Sequence, residues 1–207
     1  MTAGDAEGIV LAGGRSSRFG RDKLAEPLDG EPLLWRPIRA LVAAGCAGIV
    51  IVIGPEADDA ALPPELGSIV RFARDPEPFG GPLVGLRAGL AASEAPRVVV
   101  VAGDQPRLRP ELLGLLRAAL GDIPARPGAV VLVDRAGVRR PLPCALDRRL
   151  ALAATDDLLA AGKRRLRAVL DRLEVVAVEP AAWLPVDPDA DWTHDVDAPE
   201  DLPETNG

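Results

Sequence analysis

Short runs rich in Val and Ile alternate with helix-like stretches along most of this chain, and that alternation limits its fold more than any other feature. Gly8–Leu11, Gly48–Ile53, Ile69–Ala73, Val98–Ala102 and Ala129–Val133 are near-continuous apolar runs of strand length. A strand with one wet face alternates apolar with polar residues, whereas an uninterrupted run suits a strand covered on both faces, as in a parallel sheet. Leu33–Ala44, Pro82–Ala92 and Pro110–Leu120 carry helical patterns between the runs, and the last opens on Pro110 and stops at Gly121. Strand–helix alternation predicts an α/β three-layer sandwich with a mostly parallel, Rossmann-like sheet and right-handed crossovers. Beyond Val133 the pattern loosens. Leu150–Ala161 and Arg164–Leu173 read as helices around Gly162, Glu174–Val178 as a strand, and Asp197–Leu202 as a helix start. No repeat, linker or composition break divides the 207 residues, so one domain is expected, with a frayed tail at Pro203–Gly207.

Composition excludes several classes of function. The longest clean apolar runs, Gly48–Ile53 and Val98–Ala102, are far shorter than the ~20 residues that span a bilayer. The first ten residues carry Asp5 and Glu7 without a basic stretch, so no signal peptide, no membrane and a cytoplasmic location are expected. Cys46 and Cys144 fit no metal-ligand spacing and His194 is the only histidine, which excludes a Cys/His zinc site within the chain. Packing is the expected role of both cysteines, and a surface position that of His194. Three Trp, three Phe and no Tyr are too few for a base-stacking platform, so no nucleic acid is expected. Residues 180–207 carry a charge of −8, leaving the first 179 at +1 within a total of −7. Such a protein is a poor general polyanion binder, although a local basic loop can still hold a small phosphate ligand.

That loop follows the first strand directly: Leu11-Ala12-Gly13-Gly14-Arg15-Ser16-Ser17-Arg18-Phe19-Gly20-Arg21-Asp22-Lys23. Glycines let backbone N–H groups approach an anion, and Ser16 and Ser17 add hydroxyl donors. Arg15, Arg18, Arg21 and Lys23 against Asp22 leave +3, suited to a triphosphate. Neither GxxxxGK[ST] nor GxGxxG is present, so the loop is not a P-loop or a dinucleotide fingerprint; the alternative is a solvated, Arg-rich turn. Asp104 follows Val98–Ala102 and Asp75 follows Ile69–Ala73. Ligands of open parallel sheets bind where strands end, and a carboxylate there can hold Mg²⁺ against phosphates. Taken alone, Asp75 reads as a turn residue, and Asp104 is equally at home as a turn residue or a ligand.

In order along the chain, Leu11–Lys23, Asp75, Gly81-Pro82-Leu83-Val84-Gly85-Leu86, Val101-Ala102-Gly103-Asp104-Gln105-Pro106, Pro141-Leu142-Pro143-Cys144-Ala145-Leu146 and Asp195–Leu202 resemble the motifs of the molybdenum cofactor guanylyltransferase family, the MobA-like nucleotidyltransferases. The resemblance runs from about residue 8 to 202. It implies the nucleotidyltransferase fold, a nucleotide-binding half at 8–106 and an acceptor-binding half at 107–202. Leu11, Ala12, Gly13 and Gly14 would hold GTP, Lys23 its phosphates, and Asp75 the nucleotide. Asp104 would bind Mg²⁺, with Asp197, or its neighbour Asp195, as a second ligand. Arg15, Lys23 and Asp104 would be the catalytic set. The partners implied are GTP, molybdenum-molybdopterin, and further cofactor-biosynthesis proteins or the molybdoenzyme that receives the product.

Three departures keep alternatives open. Val52-Ile53-Gly54 stands where the family often has Asn, Arg140 where many members have Gln, and Gly103-Asp104-Gln105-Pro106 is closer to the form of cytidylyltransferase relatives. Gly13-Gly14 and Gly81-Pro82-Leu83 follow the guanylyl pattern. The chemistry suits the inventory, since an attacking phosphate is already ionised near neutral pH and needs no base; positioning and charge neutralisation suffice. A cytidylyltransferase, a transferase with another phosphorylated acceptor, and a non-catalytic nucleotide-binding module are the other readings. Lys163-Arg164-Arg165-Leu166-Arg167 reads as a solvated helix start, or as a contact for an anionic acceptor.

Overall fold

A computed structural model describes residues 6–13, 23–77, 80–121, 127–196, 198 and 201. The strands are β1 (Ala6–Leu11), β2 (Pro27–Leu28), β3 (Glu31–Pro32), β4 (Ile49–Ile53), β5 (Val70–Arg74), β6 (Arg97–Ala102), β7 (Ala129–Val133), β8 (Arg139–Asp147) and β9 (Val175–Val178). The helices are α1 (Trp35–Ala43), α2 (Pro64–Gly67), α3 (Pro82–Ala92), α4 (Pro110–Gly121), α5 (Arg148–Ala160), α6 (Arg167–Leu170) and α7 (Pro180–Trp183). Seven strands form one sheet in the order β5-β4-β1-β6-β8-β7-β9. All neighbours run parallel except β8, which is antiparallel to both β6 and β7.

Each apolar run is buried on both faces because successive side chains point to opposite layers. Val10, Ile49, Ile51, Val99, Val101, Val130 and Leu132 face one layer, with Ile38 and Leu41 of α1 and Leu112, Leu113 and Leu116 of α4. Ile9, Val50, Val52, Val98, Val100 and Val131 face the other, with Leu83, Leu86 and Leu90 of α3, Ala151 and Leu158 of α5, and Val169 of α6. Burying each branched side chain contributes about 1.5–3 kcal/mol, so the two cores hold the sheet as the middle of three layers. No helix among the described residues is long and apolar enough to cross a membrane. Cys46 and Cys144 are buried and reduced, as their packing role requires, and burial pushes the Cys144 thiol up to about 12.

Two features differ from the sequence reading. The helix expected over Arg164–Leu173 contracts to the single turn of α6, because the chain leaves Gly162 at φ +73 and the Arg164 carbonyl accepts the Leu83 N–H of α3 (3.2 Å) instead of a helical partner. β8 is a strand that the apolar pattern does not announce, since Pro141 and Pro143 interrupt it. Its ladder with β6 begins beyond both prolines, pairing Val100 with Cys144 and ending at Arg97 with Asp147. The expected helix start at Asp197–Leu202 falls largely outside the described residues.

Candidate active site

The carboxyl edge of the sheet brings together motifs that are far apart in sequence. β1 is where the strand order turns back, with β4 on one side and β6 on the other, the position at which parallel sheets open a ligand crevice. Leu11 is in register with Val52 and with Ala102, so the residues after the three strands emerge side by side. The Gly103 N–H donates to the Leu11 carbonyl (3.0 Å) and the Ala12 N–H to the Val52 carbonyl (2.8 Å). These bonds extend the ladder by one residue and hold Gly13 and Asp104 at its edge. Gly13 is exposed, and a Cβ there would meet only ordinary contacts, 3.7 Å from the Gly54 nitrogen. Packing within the protein does not demand glycine at this position.

Lys23 opens a short 3-10 turn that ends the motif loop, and its ammonium reaches back across the crevice. Nζ donates to Asp104 Oδ2 at 2.7 Å and to the Val196 carbonyl at 2.8 Å. The side chains are 13% and 23% exposed, so this charge-assisted bond is sheltered from water but can still be reached by a ligand. Val196 also donates its N–H to the Asp104 carbonyl (2.9 Å). Asp104 thus lies between a cation from residue 23 and a main-chain clamp from residue 196.

Asp75 is buried at the end of β5. Its N–H donates to the Ile53 carbonyl (2.9 Å) and its Oδ1 accepts the Glu77 N–H (3.0 Å), so one oxygen closes its own loop. The other points toward α3, 3.7 Å from where a Cβ on Gly85 would sit. Leu11, Ala12, Gly13, Asp75, Lys23 and Asp104 therefore share the carboxyl edge. Gly14, Arg15 and Asp197 lie outside the described residues. Arg140 pairs with Asp134 (2.8 Å), where the Val138 N–H and this guanidinium hold the Asp134 carboxyl below its ordinary range. Exposed Lys163, Arg164 and Arg165 run along the loop that touches the start of α3, with Arg164 3.5 Å from Glu77. His194 is exposed, as expected.

Several residues that shape the site went unread in the sequence. Asp187 is fully buried and accepts the N–H groups of Asp191 (3.2 Å) and Trp192 (3.1 Å) while pairing with Arg109 (3.1 Å). Arg109 also binds Asp191 at 3.2 Å, and hydrogen bonding to that carboxylate raises the guanidinium above its ordinary value. Trp192 packs edge-on to Trp183, ring centroids 5.6 Å apart. Gln105 joins this segment to the end of β6. The sequence marks it only as part of the Gly103–Pro106 motif, with no structural role; Asp187 was hidden in a run of acids.

For a metal, Asp104 offers one hard oxygen ligand, and no group of three or more His, Cys, Asp or Glu converges among the described residues. One carboxylate completed by phosphate oxygens and water is a donor set that suits Mg²⁺ rather than zinc.

Residues 8–177 match the family model of the MobA-like NTP transferase domain. The probable molybdenum cofactor guanylyltransferase of Chloroflexus aggregans is 36% identical over 94% of this chain and 90% of its own length. The molybdenum cofactor guanylyltransferase of Burkholderia orbicola is 41% identical over 83% of this chain and 84% of its own. Among solved structures, molybdopterin-guanine dinucleotide biosynthesis protein A from Archaeoglobus fulgidus superposes with a TM-score of 0.73 at 23% identity, covering 95% of this chain and 94% of that one. A Mycobacterium tuberculosis protein crystallised in complex with manganese shares the fold at a TM-score of 0.55 and 24% identity, over 86% of this chain and 90% of its own. With matching motifs on one sheet edge, and with relatives alike over most of their length, the chain belongs to the MobA-like NTP transferase family.

Proposed function

We propose that this protein transfers GMP from GTP to the phosphate of molybdenum-molybdopterin, forming the guanine dinucleotide cofactor and releasing pyrophosphate. The observation that carries the reading is the Lys23–Asp104 pair, 2.7 Å apart at the switch point of the sheet. An acceptor phosphate oxygen attacks the α-phosphorus of GTP as the bond to the bridging oxygen of pyrophosphate breaks. No side chain has to remove a proton, so the chain's task is to align the phosphates and offset their charge. Lys23 would move its ammonium onto the phosphates, and Gly13, where packing leaves room, would let the backbone approach them. Arg15 would add charge to the same loop, and Asp75 would face the nucleotide from β5. Asp104, with Asp197 as a further ligand, would hold Mg²⁺, which would supply charge neutralisation for the transfer. Residues 8–106 would serve GTP and 107–202 the acceptor.

Gln105 bears on the choice of base. Its carboxamide is buried and bonded within the protein at both ends, so the Gln105 side chain of the cytidylyl-like form is already committed to partners within the protein. The guanylyl reading follows the curated relatives and the Gly13-Gly14 pattern. The test is pyrophosphate release with Mg²⁺ and molybdenum-loaded molybdopterin, with the four NTPs side by side. Release with GTP alone is expected; release with CTP alone overturns the base assignment. Asp104→Ala is expected to abolish release without changing the fold, and unchanged turnover in that variant removes Asp104 from the mechanism.

A further inference from the structure

Gln105 has no part in the transfer chemistry, yet it is 5% exposed and hydrogen-bonded through both ends of its carboxamide. Oε1 accepts the N–H of Ala102, the last residue of β6, at 3.2 Å. Nε2 donates to the Trp192 carbonyl at 3.2 Å. A carboxamide can accept at one position and donate at the other while remaining neutral. The first bond holds the turn that presents Asp104. The second docks residues 187–196 against that turn.

The docked segment is itself held rigidly. The Asp187 carboxylate, fully buried, binds the Trp192 N–H at 3.1 Å and Arg109 at 3.1 Å, and the Trp192 ring is 1% exposed against Trp183. Four residues on, Val196 delivers its N–H to the Asp104 carbonyl at 2.9 Å and its own carbonyl to Lys23 Nζ at 2.8 Å. A closed ring results, from Asp104 through Gln105, Trp192, Val196 and Lys23 back to Asp104. Gln105 is the side-chain link between the turn and the docked segment, beside the main-chain bond from Val196 to Asp104.

We propose that Gln105 is a positioning residue for the transfer site: its carboxamide fixes where the Asp104 carboxylate and the Lys23 ammonium stand relative to each other, and so where a metal–nucleotide complex is held. The proposal rests on the guanylyltransferase reading for the roles of Asp104 and Lys23. Groups that orient a ligand from behind commonly change metal affinity or activity by 10–100-fold when altered, and a displacement of about 1 Å is enough to slow a positioned reaction about 100-fold.

The test uses the full chain with Gln105→Met, which keeps length and apolar volume and loses both bonds, and Gln105→Glu, which keeps the acceptor and loses the donor. Mn²⁺ binding in the presence of the non-cleavable analogue α,β-methylene-GTP is read by electron paramagnetic resonance, beside kcat, both KM values and Tm. For Gln105→Met we expect about tenfold weaker Mn²⁺ binding and kcat lowered ~10–100-fold. The acceptor KM and Tm should stay near those of the parent protein, and Gln105→Glu should fall between the two. Parent-like Mn²⁺ affinity and kcat in Gln105→Met overturn the proposal, as does a loss that both variants share in step with a fall in Tm and a rise in both KM values. Asp104→Ala in the same resonance assay separates the two ideas. Retained Mn²⁺ binding there defeats the metal assignment and the positioning role with it; lost binding there, with Gln105→Met unaffected, defeats the positioning role alone.

Discussion

Individual side chains at opposite ends of β1 do different work. Beyond its carboxyl end, Lys23 and Asp104 face the crevice. At its amino end Glu7 is 8% exposed and surrounded by donors: Arg71 at 2.7 Å, the N–H groups of Glu94 at 2.7 Å and Ala95 at 3.2 Å, and the Ser93 hydroxyl. Burial alone pushes this carboxyl up, but the bonds from Ser93, Arg71, Glu94 and Ala95 outweigh it and hold the group at about 2 against an ordinary 4.5. A folded-state value below the unfolded one means stability that is fully present above pH 4.5 and is lost as pH falls toward 2. The difference is worth on the order of 3 kcal/mol. Glu7→Gln is therefore expected to lower the urea midpoint strongly at pH 7, with the gap to the parent protein shrinking below pH 4.5; a gap independent of pH rules out this source of acid lability. Lys23 and Asp104, which the fold brings together, were legible because both lie in motifs. Val196 was not legible, because it acts through its main-chain groups and any residue there could supply them.

Among the elements, β1, β4, β6, β7, α3 and α4 were readable almost to their ends, since each buries a regular apolar pattern, whereas the short β2, β3 and α2 were not read. β8 was not, because Pro141 and Pro143 mask a strand whose pairing with β6 lies beyond them. The long helix expected after Gly162 failed for a tertiary reason: the Arg164 carbonyl is bonded to α3. Packing of α3 on the sheet makes a testable contrast. Gly89 lies where a Cβ would stand 2.6 Å from Ile9 Cγ2 and 3.0 Å from Val52 Cγ2, whereas Gly114 on α4 has nothing within 4 Å. Alanine in place of glycine in a helix interior contributes about 1 kcal/mol, while overpacking a core costs about 1–3 kcal/mol. Gly89→Ala is expected to lower Tm by about 2–4 °C and Gly114→Ala to raise it by a similar amount. The same sign for both would mean that propensity, not close approach, governs α3.

Across the whole molecule, every strand of the sheet is complete by Val178, yet the site is not. The ammonium of Lys23 is held from a carbonyl 173 positions later, at Val196. A chain cut after Val186 should keep the sheet, and so a far-ultraviolet dichroism signal close to the parent's, while losing the Trp192 anchor and the Val196 clamp. Its affinity for a GTP analogue is expected to fall at least about tenfold, a loss of ~1.4 kcal/mol; parent-like affinity in that fragment would show the clamp to be dispensable. The acidic balance of the last 28 residues, read at first as a matter of charge alone, includes the buried Asp187 that secures this segment to Arg109.

That long reach from residue 23 to residue 196 has a consequence for the chain while it is being made. The nucleotide motifs leave the ribosome early, and β1, β4 and β6 can form long before translation reaches the segment that completes the site. Until Val196 has emerged and docked, a nascent or stalled chain lacks the main-chain clamp on Lys23 and Asp104. The order of synthesis therefore makes this clamp one of the last contacts that the chain can form.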